Sequence, residues 1–319
     1  MSHNNSVNVT HIYKQFGNKT AVKDISFTIK QGEIFGLLGP NGAGKTTIIR
    51  MMTTLLHQDT GQILLNGYDT STQSRLARQQ FSVTGQSAAV DQDLTARENL
   101  MIFGKLNGLN HAAAHTRTTE LLTDFDLINS ADQTLATFSG GMRRRLDLAI
   151  SLIGKPAILF LDEPTTGLDP RTRTQMWQAV RKLAAAGSTV LLTTQYLEEA
   201  DHLADRIALI DHGQMIALGT PNELKKQVGG LQLRLEVPDT QRVSQAQQII
   251  QEILTLPVNV NDRTLTALLG NVKIQLVTQA LQQLQAAAVP ISNFAIEAPT
   301  LDDVFLKLST LQLFKKIWI

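Results

Sequence analysis

The sequence contains no cysteine in 319 residues. That absence excludes disulfides, thiolate catalysis and cysteine-ligated zinc. An excess of one charge sign is also missing. There are 29 Lys and Arg against 28 Asp and Glu, a formal net charge of +1, so no whole-surface attraction draws the chain to nucleic acid. Long apolar runs are lacking too. A membrane-spanning helix needs about 20 mostly apolar residues, and stretches such as Ile34–Leu38 and Ala157–Leu161 end far short of that at Gly, Asp or Pro. Met1–Asn8 has no basic segment followed by an apolar one, so no signal peptide is expected. Present instead are 43% apolar residues, enough for ordinary cores, and a length that corresponds to about two domains.

Val7, Val9 and Ile12 alternate loosely with polar residues, and Ile25, Phe27 and Ile29 do so cleanly. Both patterns predict strands with one buried face. Short continuous apolar runs at Ile34–Leu38, Ile158–Leu161, Val190–Leu192 and Ile207–Ile210 read as strands buried on both sides. Helical segments separate them, at Lys45–Leu56, Arg171–Ala186 and Leu197–Leu203. Strands alternating with helices imply a largely parallel α/β sheet. Between about residues 94 and 154 the pattern is helical without strands, a helical insertion. Composition changes near Gly229 and Gly230. Residues 231–319 hold 12 glutamines, mostly at helical spacing on Gln241–Leu254 and Val272–Ala287. Strand-like Leu231–Val237, Leu265–Leu269 and Ile291–Ile296 surround them, and the order predicts a small ferredoxin-like α+β domain. The domain boundaries expected are 5–228 and 231–310, with a tail at 311–319.

Gly39, Pro40, Asn41, Gly42, Ala43, Gly44, Lys45 and Thr46 fit G-x-x-x-x-G-K-[ST] between an expected strand and helix. Gly42 and Gly44 allow the backbone to curl so that successive N–H groups point inward at phosphates. The helix N-terminus at Lys45 adds partial positive charge. Lys45 is expected to reach the β- and γ-phosphates, Thr46 to ligate Mg²⁺ and Thr47 to donate to the α-phosphate. Such a loop alone does not separate a kinase from a GTPase or a transport motor. Ile158–Leu161 then ends in Asp162 and Glu163. Asp162 is expected to hold Mg²⁺ at the end of its strand, and Glu163, one residue on, to polarise a water aimed at the γ-phosphate.

With these motifs and several more, the chain resembles the nucleotide-binding subunits of ABC transporters. Phe138, Ser139, Gly140, Gly141 and Met142 match the family's signature motif, placed to open a helix at Met142–Ile153. Gly167, Leu168 and Asp169 match the D-loop, Gln86 the Q-loop glutamine, and Phe16 the aromatic that stacks on adenine. The resemblance covers residues 5–228 in the family's motif order. It implies an α/β P-loop NTPase with a β-subdomain and a helical insertion, and ATP and Mg²⁺ as its cofactors. It also implies that Ser139, Gly140, Gly141, Met142 and Asp169 contact nucleotide held by a second subunit, and that Gln86 senses Mg²⁺ and a membrane partner. The segment Ser139–Ala149, the segment Thr193–Asp201 and Pro299–Phe305 resemble the daunorubicin/doxorubicin-resistance ATP-binding branch. That branch implies a motor subunit for drug or multidrug export, on the cytoplasmic face of the cell membrane. Its expected partners are a second ATP-binding subunit, identical or related, and an integral permease of the ABC-2 type, with no nucleic acid. An ABC-type ATPase acting on ribosomes or DNA is the alternative. Such proteins carry two cassettes or a long coiled coil, and here one P-loop, one signature motif and no sustained heptads are found.

One departure from the family pattern matters. The switch position usually holds histidine, and here it is Gln195. A glutamine amide can still donate to the γ-phosphate, but it does not become charged near neutral pH; the other reading is that it only caps the next helix. Arg143, Arg144 and Arg145 spread over about 200° of a helix and cannot all face one phosphate groove. One is expected to orient the signature helix, the others to sit at the surface. The seven histidines show no metal-ligand spacing. His111 and His115 are i, i+4 neighbours, but on a polar helix with no third ligand nearby. Nothing in the appended domain chooses among regulation, dimer support and partner contact, and the tail, with Phe314, Lys315, Lys316, Ile317 and Trp318, suits packing on a domain surface.

Overall fold

β1 (Asn5–Phe16) and β2 (Lys19–Lys30) pair antiparallel and bury Val7, Val9, Ile12, Ile25, Phe27 and Ile29 on one face. β3 (Ile34–Leu38), buried throughout, leads through the glycine loop into α1 (Lys45–Met52). β4 (Thr60–Leu65) and β5 (Tyr68–Asp69) complete an antiparallel sheet of order β2-β1-β4-β5. After α2 (Ser74–Arg78) and β6 (Phe81–Thr84) come α3 (Ala96–Leu106), α4 (His111–Asp124) and α5 (Gly140–Ser151), the helical insertion. β7 (Ile158–Asp162), α6 (Pro170–Ala185), β8 (Thr189–Thr194), α7 (Leu197–Leu203), β9 (Arg206–Asp211) and β10 (Gln214–Gly219) close this part of the chain. The computed structural model describes residues 5–84, 90–269 and 274–317.

The central sheet has the order β10-β9-β3-β8-β7-β6, parallel except for β10. Its strands read as unbroken apolar runs because they feed two cores, with alternate residues pointing to opposite faces. Phe35, Leu37, Ile158, Phe160, Leu191, Ala208 and Ile210 pack with the antiparallel sheet and α1. Ile34, Leu159, Leu161, Val190 and Leu192 pack with the helical insertion and α6. Both cores hold the C-terminal ends of β3, β7 and β8 level, where α/β sheets bind ligands.

The chain divides into two compact units between Pro221 and Asn222, where α8 (Pro221–Val228) begins. The second unit runs β11 (Gln232–Glu236), α9 (Val243–Leu254), β12 (Val258–Asn261), β13 (Thr264–Leu268), α10 (Ile274–Ala286), β14 (Asn293–Glu297) and α11 (Leu301–Ile317). Its sheet is antiparallel throughout, in the order β12-β13-β11-β14, which is the ferredoxin-like arrangement. The sequence reading has three strands here, and the structure has four. β12 escapes because only Val258 of Val258–Asn261 is buried. The expected separate tail is the backbone continuation of α11 as far as Ile317. No helix among the described residues is long and apolar enough to cross a membrane.

Phe160 is fully buried and meets Phe81 edge-on, with ring centroids 5.3 Å apart. Phe160→Ala should lose about 3–5 kcal/mol, transfer and cavity terms together. A lower urea midpoint at unchanged slope checks this, and a shift worth under about 1 kcal/mol would contradict the packing described.

Candidate active site

The loop 39–44 sits where three backbone segments meet. The Gly213 N–H, in the turn between β9 and β10, donates to the Ala43 carbonyl at 2.9 Å, and the Lys23 N–H donates to the Gly213 carbonyl at 2.7 Å. Side chains do not fit there. A Cβ on Gly44, at φ +111°, would lie 2.5 Å from the Ala21 carbonyl oxygen, and one on Gly39 would lie 2.1 Å from that of Ile210. Gly44 is also the N-cap of α1 and supplies no side-chain capping bond. The first-turn N–H groups therefore have no side-chain cap and are open to an anion.

Lys45 opens α1 and is 5% exposed. Its Nζ donates to the carbonyls of Gly39 at 2.6 Å and Pro40 at 3.1 Å. Burial pushes its pKa below the ordinary lysine value, and the carboxylates of Glu163 and Asp162 oppose that. Thr46 is exposed and Thr47 half-buried. Phe16, at the end of β1, leaves its ring 49% exposed, with the Lys14 ammonium 5.6 Å from its centroid.

Asp162 ends β7 level with Thr193 of β8, whose hydroxyl donates to Asp162 Oδ1 at 2.5 Å. Glu163 follows in the left-handed region at φ 49°, a costly conformation for a non-glycine residue. Its N–H donates to the Thr193 carbonyl and hydroxyl oxygens, both at 3.1 Å, and its Oε2 accepts from the Thr166 hydroxyl at 3.2 Å. Gln195, just past β8, is half-buried. It does not cap α7, whose N-cap is Tyr196 without a side-chain cap bond. Gln86 lies outside the described residues.

Ser139 caps α5, its Oγ accepting from the Met142 N–H at 3.2 Å, so its own hydroxyl proton stays free to donate outward. Ser139 and Gly140 are exposed. Gly141 is not open in the same way, since a Cβ there would meet Thr172 Cγ2 at 2.8 Å. Thr172 in turn is bound through its N–H and hydroxyl by Asp169, the N-cap of α6, at 3.0 and 2.7 Å. These bonds hold the Asp169 carboxyl below the usual carboxylate range.

The expectation that two of the three arginines lie at the surface is not met. All three are half-buried, and each donates to backbone carbonyls: Arg143 to Ala136, Arg145 to Phe125, Arg144 to Asp162, Glu163 and Pro164. A cleft of about 630 Å³ beside them is lined by Gly140, Arg144, Asp147, Glu163 and Gly167 among others. Sequence reasoning missed Thr193, Arg144 and Thr172. For Thr193 a signal existed, because parallel register sets the residue closing β8 beside the one closing β7.

A glycine loop leading into an uncapped helix N-terminus and a buried lysine, with a pair of carboxylates at the end of β7, two strands along the same sheet, defines a P-loop nucleotide hydrolase site. The comparisons narrow the class. The ABC transporter family model matches residues 22–166, and that of the DrrA1-3-like ATP-binding protein C-terminal domain matches residues 219–309. The daunorubicin/doxorubicin resistance ATP-binding protein DrrA of Streptomyces peucetius is 44% identical over 95% of this chain and 92% of its own. The linearmycin resistance ATP-binding protein LnrL of Bacillus subtilis is 38% identical, over 94% of this chain and 96% of its own. A solved ATP-binding subunit of an ABC transporter superposes with a TM-score of 0.63 at 28% identity, over 69% of this chain and 92% of that one. The chain belongs to the ABC transporter ATP-binding proteins, in the branch that carries the DrrA-like C-terminal domain. It is an ATPase subunit of an export-type transporter.

Asp147, beside Arg144 and Arg143 on α5, has its pKa raised from 3.8 to about 6, with burial as the cause and the two arginines opposing. Its Oδ1 is buried without a hydrogen-bond partner among the described residues. An acid raised in the fold stabilises it fully below about pH 4 and loses that contribution as pH rises through about 6. Asp147→Asn cannot ionise. Relative to the parent it should gain on the order of 2 kcal/mol between pH 4 and pH 7, with allowance for solvent screening. Urea titrations at both pH values measure this, and a pH-independent difference would contradict the burial argument.

Proposed function

We propose that this chain is the ATP-hydrolysing motor subunit of a drug exporter and works as a head-to-tail dimer. The observation that carries the reading is the Lys45, Asp162 and Glu163 constellation at the end of the central sheet, in one chain with a second, exposed helix N-terminus at Ser139. In this reading the amides of Gly42–Thr46 and the Lys45 ammonium take the β- and γ-phosphates. The Thr47 hydroxyl donates to the α-phosphate, and the exposed ring of Phe16 stacks on adenine. Ser139, Gly140 and Gly141, with Met142 behind them and Asp169 of the D-loop, close over the nucleotide of a second copy or a related subunit. That second N-terminus is exposed and suited to an anion, and a paired copy would bring it a phosphate.

The donors on offer are hard oxygens, the Thr46 hydroxyl in the first turn of α1 and the Asp162 carboxylate at the end of β7, with Gln86 as the third ligand the family implies. One carboxylate plus substrate phosphates is how proteins usually hold Mg²⁺, so the residues fit that ion. Bound there, it would neutralise charge developing on the phosphates. Glu163, whose carboxylate accepts one bond from Thr166, orients the attacking water and takes its proton. Gln195 donates its amide to the γ-phosphate, a bond it can make at any pH near neutral.

Hydrolysis is coupled to a separate integral permease of the ABC-2 type through the Q-loop region, which puts this subunit at the cytoplasmic face of the cell membrane. Drug export is supported by the relatives, named for daunorubicin/doxorubicin and linearmycin resistance.

Glu163→Gln should bind ATP normally, lower kcat by about two to four orders of magnitude and accumulate as a nucleotide-bound dimer on gel filtration. Lys45→Ala should instead weaken nucleotide binding itself. Turnover of Glu163→Gln at the parental rate would remove Glu163 from the role of base. A second expectation concerns the switch. The pH–rate profile of Gln195→His should acquire an inflection near 6.5 that the parent lacks, and identical profiles would show that position 195 does not touch the reacting phosphate.

A further inference from the structure

We infer that Arg144 is a positioning residue that holds the Glu163 carboxylate in its working place from the signature helix of the same chain; the inference rests on the proposed role of Glu163. Helical geometry sends the three consecutive arginines apart by about 100° each. Arg143 and Arg145 go to the helical insertion, at Ala136 and Phe125. Arg144 alone crosses to the end of β7. Its Nε donates to the Pro164 carbonyl at 2.8 Å, and its Nη2 to those of Asp162 at 3.2 Å and Glu163 at 3.0 Å.

Three successive carbonyls converge on one cation because Glu163 turns the chain at φ 49°. A side-chain-bearing residue keeps such a conformation only where its surroundings over-determine it. Both sides of the turn are pinned here. The Glu163 N–H is held from β8 by Thr193, and its carbonyl from α5 by Arg144. A guanidinium suits the task, since its donors form a rigid fork and its charge stays on. The arrangement has a consequence for the dimer. The helix that reads the partner's nucleotide through Ser139 is the helix that anchors the turn bearing Glu163, so movement of α5 is felt at the chain's own hydrolytic site.

The test uses the full-length protein and four variants: Arg144→Ala, Arg144→Lys, Glu163→Gln, and Arg144→Ala with Glu163→Gln. Steady-state ATPase, affinity for a non-hydrolysable ATP analogue and melting temperature are measured on each. Arg144→Ala should lower kcat by about ten- to a hundredfold, the cost of misplacing a reacting group by about 1 Å. KM and analogue affinity should stay within about twofold, because the phosphate loop is untouched. Arg144→Lys, which keeps the charge and up to three donors, should recover a substantial part of kcat. In the Glu163→Gln background, Arg144→Ala should add no further loss. Parental kcat in Arg144→Ala overturns the inference, as does a further tenfold loss in the double variant or a KM effect equal to the kcat effect. Should Arg144→Ala fail to fold, a Lys variant that folds with parental melting temperature yet recovers no activity overturns it too. Parental turnover in Glu163→Gln defeats the proposed function and the inference together, whereas a slow Glu163→Gln beside a fast Arg144→Ala defeats the inference alone.

Discussion

Backbone has to approach backbone at the glycine loop, and the rest of the site is built around that contact. Phosphate oxygens can be met by a row of N–H groups only where no Cβ intervenes. Here the loop is pressed so closely against Ala21 and Ile210 that Gly44 and Gly39 cannot be replaced without moving carbonyls. The bonds from Gly213 to Ala43 and from Lys23 to Gly213 lock the same three segments. That closeness demands that β2, β3 and the end of β9 hold fixed positions. Two well-filled cores, one on each face of the central sheet, hold them there. Close-packed interiors transmit such constraints because they compress little.

Charge is the second organising force. Lys45 is buried and its ammonium is disfavoured by burial, while Asp162 and Glu163 restore part of the balance. The two carboxylates have neighbouring positions but different surroundings. Asp162 is fastened to Thr193 at a strand end, which suits a fixed ligand. Glu163 hangs on a strained turn beside an open cleft, which suits a group that must meet water. In the proposed reading one strand end thus yields two roles through local environment, as pairs of acids in hydrolytic sites commonly do.

Much of this was legible in the residues. Buried parallel strands declare themselves as short apolar runs, and the glycine loop and the acidic pair carry spacing that few structural alternatives share. The helical insertion was readable because amphipathic segments there lack any strand-like run. What escaped has physical reasons. β12 is an edge strand whose Asn259, Val260 and Asn261 remain exposed, so alternation left no trace. α5 starts two residues before the expected Met142 because Ser139 caps it, and glycines at its first positions hide the start. Arg144 stood among three consecutive arginines, one expected to orient the signature helix and two to lie at the surface, with nothing to single it out. A polar side chain that satisfies backbone carbonyls across the fold has no local pattern, since its partners lie some twenty residues away in sequence. Thr193 escaped for the same reason, though strand register could have exposed it.

The signature motif is fixed by its own chain as well as by any nucleotide it meets. Gly141 touches Thr172, and Thr172 is held twice by Asp169, so the signature helix and the D-loop helix begin in contact. A larger residue at 141 would press on the Thr172 side chain that Asp169 holds. The Asp169 carboxylate, held in its charged form by those bonds, is engaged in capping α6. Displacing it toward a neighbouring subunit would cost α6 its cap, about 1 kcal/mol. Signature loop, D-loop and the turn at Glu163 are therefore best regarded as one mechanical block. Glycine contact, helix cap and arginine fork join its parts, so in the proposed dimer a closing partner would act on all three at once.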